Sequence, residues 1–344
     1  MKIRPPKRIL LFNVNWVGDV LFSTATLKSL REAFPGSFIA CVIPPRCYAV
    51  LENNPHLNEI IVFDEKKEYR GCAGMWRFSR LLAAKKFDTV FLLHRSFSRA
   101  LVTALAGIGQ RIGYSTLKRF FLLTCQGPAP AVTSVHRIDY YLGVLKLAGI
   151  DPSAGDPEMF IGPDDLRQVE VFLQSHLSAG KRPLLIGINP GGNWGPKRWG
   201  IEAFTELAVR CRSEFNAVIV VTGGQEDVQL VQAIRSRVPV IATAGVFTLR
   251  QFAALSRSLD VFVTADSGPL HIANAAGCPR IIALFGPTDP SLTGPRPGRR
   301  VTILQKNTGC IVPCYQVDCA NNRCMQAITV DDVIAAMRPY VGSR

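Results

Sequence analysis

A double alternation constrains this chain more than any other feature. Short apolar runs of strand length are separated by amphipathic stretches of helix length, and the pattern runs twice. In the first half the expected strands are Arg8–Val14, Ser37–Ile43, Glu59–Phe63 and Thr89–His94. Helices are expected from near Val20, Pro45 and Gly74, over Ser96–Ala106 and over Ser134–Ala148. The second half repeats the pattern with strands Pro183–Asn189, Ala217–Thr222, Val240–Ala244, Asp260–Ala265 and Arg280–Phe285. Between and beyond them, helices are expected over Ile201–Arg212, Glu226–Arg237, Thr248–Ser258 and Pro269–Ala276. Strand–helix alternation builds right-handed βαβ units and parallel sheets. Near-continuous apolar runs such as VIVVT and IIALF suit strands covered by helices on both faces. The expected fold class is α/β, with two Rossmann-like doubly wound domains. Ligands in such folds sit beyond the carboxyl ends of the strands, and two domains imply a cleft between them.

A Gly/Pro/Asp-rich stretch, GIDPSAGDP at 149–157, separates the two halves. The expected divisions are an N-terminal domain over 1–160, a linker with a helix over 161–182, a C-terminal domain over 183–328, and a last helix over 329–344 packing near the domain boundary. Hydrophobic residues make up 48% and charged residues 19%, a globular rather than disordered balance. No apolar run approaches the ~18–20 residues of a spanning helix. The basic start, MKIRPPKR, leads into an apolar stretch interrupted by Asn13 and Asn15, with no small-residue cleavage site after it. It reads as a first buried strand rather than a signal peptide, so a cytoplasmic protein is expected. Cys41, Cys47, Cys72, Cys125, Cys211 and Cys278 lie singly among apolar segments, as free thiols do in a reducing compartment.

The net charge is +14 and unevenly placed. Between Lys66 and Arg119 there are twelve Lys/Arg and two acids, Glu68 and Asp88. Such a segment is either a solvated basic face or a surface for a polyanion or an anionic membrane.

Four corners carry residues suited to chemistry. Trp16-Val17-Gly18-Asp19 follows the first strand and opens a helix. Asp19 there is either a helix cap or a carboxylate at the cleft edge, able to take a proton from a substrate hydroxyl. Gly18 allows close backbone approach. The second corner is Asn189-Pro-Gly191-Gly192-Asn193-Trp-Gly-Pro-Lys197-Arg198-Trp199, whose glycines free backbone N–H groups for phosphate and whose Lys197 adds a mobile charge. The third is Asp266-Ser267-Gly268-Pro269-Leu270-His271, at the end of a strand and the start of a helix. Pro269 suits the first turn, whose free N–H groups and dipole favour phosphate. Asp266 and His271 are placed to hold sugar hydroxyls and phosphate oxygens. The fourth, Phe285-Gly-Pro-Thr-Asp-Pro290, is a Pro-rich turn after the next strand and an expected wall of the same site. Glu226, opening a helix after Gly223-Gly224, is placed to accept from ribose hydroxyls or to face the helix dipole.

Cys310, Cys314, Cys319 and Cys324 fall within fifteen residues. They read either as a reduced structural loop or as a zinc site, and the spacing lacks the paired CxxC of a zinc ribbon. Asp164-Asp165 and Asp331-Asp332 read as helix caps, so no catalytic divalent ion is implied.

The chain resembles the heptosyltransferases of glycosyltransferase family 9, and their type II members most. The resemblance rests on NWVGDVLFSTATLKSLR, NPGGNWGPKRW, DSGPLHIANAAGCP and LFGPTDP, in that order and spacing. It implies a GT-B fold, with an N-terminal acceptor domain and a C-terminal nucleotide-sugar domain. It implies an inverting, metal-independent transfer of heptose from ADP-L-glycero-D-manno-heptose to a heptose of the lipopolysaccharide inner core, with no cofactor. It places the catalytic base on Asp19 and the diphosphate-steadying cation on Lys197. The donor site it implies takes in Gly191, Gly192, Asn193, Glu226, Asp266, Ser267, Gly268, Pro269, Leu270 and His271, with Asp227 competing for the role of Glu226. Gly18, Arg95, Ser96, Arg99 and Arg111 become acceptor contacts, since the acceptor is anionic. The expected partners are ADP-heptose, the lipopolysaccharide core and the inner leaflet of the inner membrane, touched peripherally by a monomer that does not bind nucleic acid. Rival readings are a family 9 enzyme with another donor or acceptor, a sugar-nucleotide epimerase, a hinged binding module without turnover, and a basic nucleic-acid-binding protein.

Overall fold

The computed structural model describes residues 3–153, 155–178, 180, 182–192, 194–316 and 318–341. The chain divides into two compact units between Phe160 and Ile161. Each is built on one six-stranded, all-parallel sheet. In the first unit β1 (Arg8–Phe12), β2 (Phe38–Ile43), β3 (Glu59–Val62), β4 (Thr89–Leu92), β5 (Gln110–Tyr114) and β6 (Cys125–Gly127) lie in the order β3-β2-β1-β4-β5-β6. The register sets Leu10 beside Ala40 on one flank and Val90 on the other. In the second unit β7 (Leu185–Asn189), β8 (Val218–Val221), β9 (Ile241–Ala242), β10 (Val261–Ala265), β11 (Ile281–Leu284) and β12 (Val301–Leu304) lie in the order β12-β11-β10-β7-β8-β9. Both orders reverse direction at their first strand, β1 and β7. The crevice that opens at such a reversal is where doubly wound sheets bind ligands.

Strand alternation sends successive side chains to opposite faces, and helices cover both. In the second unit Ile186, Ile188, Val261, Val263 and Ile282 face helices Ile201–Phe215 and Val330–Val341. Leu185, Phe262, Ile281 and Ala283 face helices Pro163–His176, Leu249–Ser258 and Gly268–Ala276. Helix Pro163–His176, placed by the sequence pattern in a linker, therefore belongs to the second core through Val169 and Leu173. The stretch up to 160 packs on the first unit instead. Glu158 accepts from Lys28 at 2.8 Å and from His56 at 3.1 Å, and its N–H donates to Thr24 Oγ1.

Three strands have no counterpart in the sequence pattern: β5, β6 and β12. All lie at or next to a sheet edge, where one flank needs no apolar run. Among the described residues no helix is long and apolar enough to cross a membrane.

Candidate active site

The loop after β1 is fixed by buried Asn13, whose Nδ2 donates to Ser23 Oγ at 2.8 Å. Arg46 Nε donates to the Asn15 carbonyl, and its guanidinium lies 4.8 Å over the Trp16 ring. Helix Val17–Phe22 opens with Trp16, not Asp19, at its N-cap, and no side chain caps it. Asp19 is therefore no cap; it sits in the first turn with Gly18. Its Oδ1 accepts from the Tyr141 hydroxyl at 2.8 Å and lies 3.8 Å from Arg137 Nε. Burial first, and then the Asp19 carboxylate, push the Tyr141 phenol well above the ordinary tyrosine range, so it remains a donor. Among the described residues nothing donates to Asp19 Oδ2, and the side chain is 29% exposed. One oxygen is held, and the other is available to a substrate hydroxyl.

The proposed acceptor contacts scatter. Arg95 is exposed beyond β4 and lines a cavity of about 500 Å3. The Ser96 hydroxyl accepts from Ser98 N–H and caps helix Phe97–Leu105. Arg99 is buried, paired with Glu65 at 3.0 Å and set over the rings of Phe12 and Phe63. Arg111 lies at the amino end of β5, the sheet edge opposite Asp19, and its guanidinium donates to the carbonyls of Leu122 and Ile108. Ser96 and Arg99 thus serve the fold next to the site, and Arg111 leaves the acceptor set altogether. His94, beyond β4, was not singled out from the sequence. Burial, then the charge of Arg99, push it down to about 4, so it is neutral at pH 7.

In the second unit β7 runs into Pro190–Gly192, and Asn193 lies outside the described residues. The turn Gly195–Lys197 then presents Lys197. Its Nζ lies 2.6 Å from Asp266 Oδ2 and 5.5 Å over the Trp194 ring. Asp266, at the end of β10, is only 4% exposed. Oδ2 also accepts from Thr288 Oγ1 at 2.7 Å, and His271 Nε2 is 3.5 Å from Oδ1. Burial alone would raise this carboxyl; His271 and Lys197 outweigh it and hold it well below the usual carboxylate range. The sequence alone assigns Asp266 and His271 to sugar hydroxyls and phosphate oxygens. The structure gives Asp266 to three protein neighbours, because a buried carboxylate needs its charge compensated locally.

Helix Gly268–Ala276 starts here with Ser267 at its N-cap and Pro269 in its first turn. Gly277 ends it at φ +88°, a left-handed position that suits glycine. The Leu270 side chain is in the core and its N–H bonds to the Ser267 carbonyl. Among the described residues that leaves Ser267 and Gly268 with unbonded N–H groups at the helix start.

Glu226 is exposed, whereas Asp227 is buried and accepts from Gly224 N–H at 3.0 Å. A Cβ on Gly191 would come within 2.3 Å of Asp227 Oδ2, so this loop closes over that carboxylate only with glycine. Asp227 thus serves the loop through Oδ2, and Glu226 stands open to solvent. The cysteine segment and the residues just after it brace these loops: Cys314 N–H donates to the Pro287 carbonyl, Asn322 Nδ2 to the Arg198 carbonyl, and Trp199 Nε1 to the Ile328 carbonyl. Among the described residues no three His, Cys, Asp or Glu are grouped to hold a metal. All ten thiols are free.

The sequence profile of glycosyltransferase family 9 (heptosyltransferase) matches residues 75–324. The chain belongs to glycosyltransferase family 9. Lipopolysaccharide heptosyltransferase 2 of Salmonella typhimurium is 27% identical over 297 residues, covering 84% of this chain and 85% of that protein. The crystal structure of a family 9 glycosyl transferase from Veillonella parvula superposes with a TM-score of 0.88 at 27% identity, covering 100% of this chain and 99% of the other. The E. coli ADP-heptose lps heptosyltransferase II superposes with a TM-score of 0.79 at 25% identity, covering 97% and 98%. The two doubly wound units are thus the two Rossmann-like domains of a GT-B glycosyltransferase. The family match takes in Lys197, Asp266 and Thr288; Asp19 precedes it.

Tyr141 and Arg137 escape a reading of the sequence, whereas Thr288 lies in the turn after β11 that is expected to wall the Asp266 corner. Each of the first two is inside a recognised segment, but its partner lies far away in the chain. Only the fold brings Tyr141 and Arg137 to Asp19.

Proposed function

We propose that this family 9 enzyme is an inverting heptosyltransferase, moving heptose from ADP-L-glycero-D-manno-heptose to a heptose of the lipopolysaccharide inner core. The first unit takes the acceptor and the second the donor. The arrangement that carries the reading is the half-committed carboxylate of Asp19. Tyr141 fixes Oδ1, which aims Oδ2 at the acceptor hydroxyl. Oδ2 takes the hydroxyl proton as the oxygen attacks the anomeric carbon. The bond from that carbon to the diphosphate oxygen breaks, and ADP leaves with the electron pair. One displacement inverts the configuration.

Lys197 has three N–H donors, of which Asp266 takes one. The other two, with the N–H groups of Ser267 and Gly268, meet the charge that grows on the diphosphate. These groups support a metal-independent reaction. The basic first unit supports an anionic acceptor and peripheral contact with an anionic membrane surface.

The test is transfer itself. A lipid A–core acceptor carrying one heptose, incubated with ADP-heptose in EDTA, gains one heptose of inverted configuration. A gain only from another sugar nucleotide would move the enzyme to a different donor. Loss of the gain in EDTA would overturn the metal-independent mechanism.

A further inference from the structure

From Thr89 to Ile138 the chain carries six Lys/Arg and no Asp or Glu. That acid-free stretch builds the β4-β5-β6 side of the first sheet and the loops beyond its carboxyl ends. Those loops hold large apolar side chains in solvent. Leu117 is 95% exposed and Phe121 62%, with Phe97, Phe120 and Val132 also exposed. They form one surface. Phe97 and Phe121 rings lie 6.3 Å apart, Phe120 sits edge-on to Phe121, and Leu117, Phe120 and Val132 line the same cavity. Exposed Arg95 and Lys118 stand among them. An apolar patch this exposed marks a contact surface. Cations around it, with no acid in the same stretch, match a negatively charged and partly apolar partner.

We infer that this surface seats the first unit on an anionic lipid bilayer. Phe97, Leu117, Phe120 and Phe121 enter the headgroup–acyl boundary, as exposed aromatic and aliphatic side chains do at interfaces. Lys118 and Arg95 meet anionic headgroups. The surface lies at the carboxyl edge of the sheet, the edge that also carries Asp19 after β1. A glycolipid standing in that bilayer thereby offers its sugar on the side where the carboxylate waits. The assignment deepens the proposed use of a lipid-linked acceptor and rests on it.

The experiment is sedimentation of the full chain with vesicles containing no sugar acceptor. Vesicles of phosphatidylethanolamine and phosphatidylglycerol are compared with vesicles of phosphatidylcholine alone. The wild type is expected to sediment with the anionic vesicles at low salt and to be released by salt. The variant Leu117→Asp/Phe121→Asp is expected to bind about tenfold or more weakly. Lys118→Glu, the milder variant, is expected to bind severalfold more weakly. The substituted side chains are exposed, and a thermal melt checks that each variant folds. Heptose transfer to a water-soluble, deacylated acceptor is measured in parallel and is expected to be unchanged in all three proteins. A wild type that transfers heptose but ignores anionic vesicles overturns the bilayer assignment alone. Vesicle binding that the apolar variant leaves intact also overturns it, as does a variant whose only change is loss of self-association in sedimentation velocity. Patch-dependent vesicle binding without any heptose transfer leaves the surface standing and removes the heptosyltransferase reading.

Discussion

Asp19 and Asp266 are the same residue type, each past the carboxyl end of a central strand, and their surroundings suit opposite proposed roles. Asp19 is part-exposed and has one oxygen held by Tyr141 while the other accepts nothing among the described residues. Asp266 is buried and spent on Lys197, Thr288 and His271. A carboxylate meant to take a proton needs a vacant lone pair and access to the substrate. A carboxylate meant to hold a cation needs burial and full compensation. Position on the fold does not separate these roles; the count of partners does.

Four substitutions sharpen or break that contrast. Lys197→Ala removes the charge that Asp266 positions. It is expected to lower kcat roughly 10²–10³-fold, the scale of losing a transition-state donor, and to weaken ADP binding in a fluorescence titration. Unchanged ADP affinity would make Lys197 a purely structural partner of Asp266.

Asp266→Asn comes next. Breaking a buried ion pair costs roughly 3–5 kcal/mol, and the lower end is expected because Lys197 remains partly exposed. Urea unfolding at pH 7 measures it. The folded-state carboxyl of Asp266 is depressed. Its stabilisation is therefore present above the ordinary aspartate value of about 3.9 and is lost as the pH falls below it. The stability gap between wild type and variant should narrow below about pH 4. A constant gap would deny the ion pair its part.

Tyr141→Phe keeps the ring and removes the donor to Asp19. A hydrogen bond to a charged group is worth roughly 1.5–3 kcal/mol, so a fall in kcat of at least about tenfold is expected, with KM for ADP-heptose unchanged. An unaltered kcat would mean that Asp19 needs no aiming. Thr288→Val has the smallest expected effect, a severalfold fall in kcat, because Lys197 and His271 still compensate Asp266. A loss as large as that of Lys197→Ala would make Thr288 a direct ligand of the diphosphate.

The sequence was legible where chemistry is local. Strands β1, β2, β4, β7, β8, β10 and β11 are central, flanked on both sides, and carry near-continuous apolar runs. Strand β5 reads QRIGY and hides its buried Ile112 and Tyr114 among polar residues and glycine, while β6 has three residues and β12 is only half-buried. Asp19, Lys197 and Asp266 stand out because each sits at a strand-to-helix corner visible within a few residues. What each carboxylate bonds is not local. Tyr141 lies 122 residues from Asp19. Glu226 is exposed and Asp227 lies buried under the loop at Gly191, a difference that two adjacent acids do not show in the sequence. Arg99 and Arg111 read as acceptor contacts by charge alone; the fold gives one to Glu65 and the other to backbone carbonyls.

The proposed mechanism stands on the reaction of Asp19. Its most direct test is ADP release from ADP-heptose, with and without the heptose-bearing lipid A–core acceptor, in wild type and in Asp19→Asn. The wild type should release ADP only with acceptor. Asp19→Asn should bind ADP as well as the wild type and release it at least ~10²-fold more slowly, the scale of losing a general base. Acceptor-dependent release at the wild-type rate in Asp19→Asn would contradict the account, because no proton would then pass through that carboxylate.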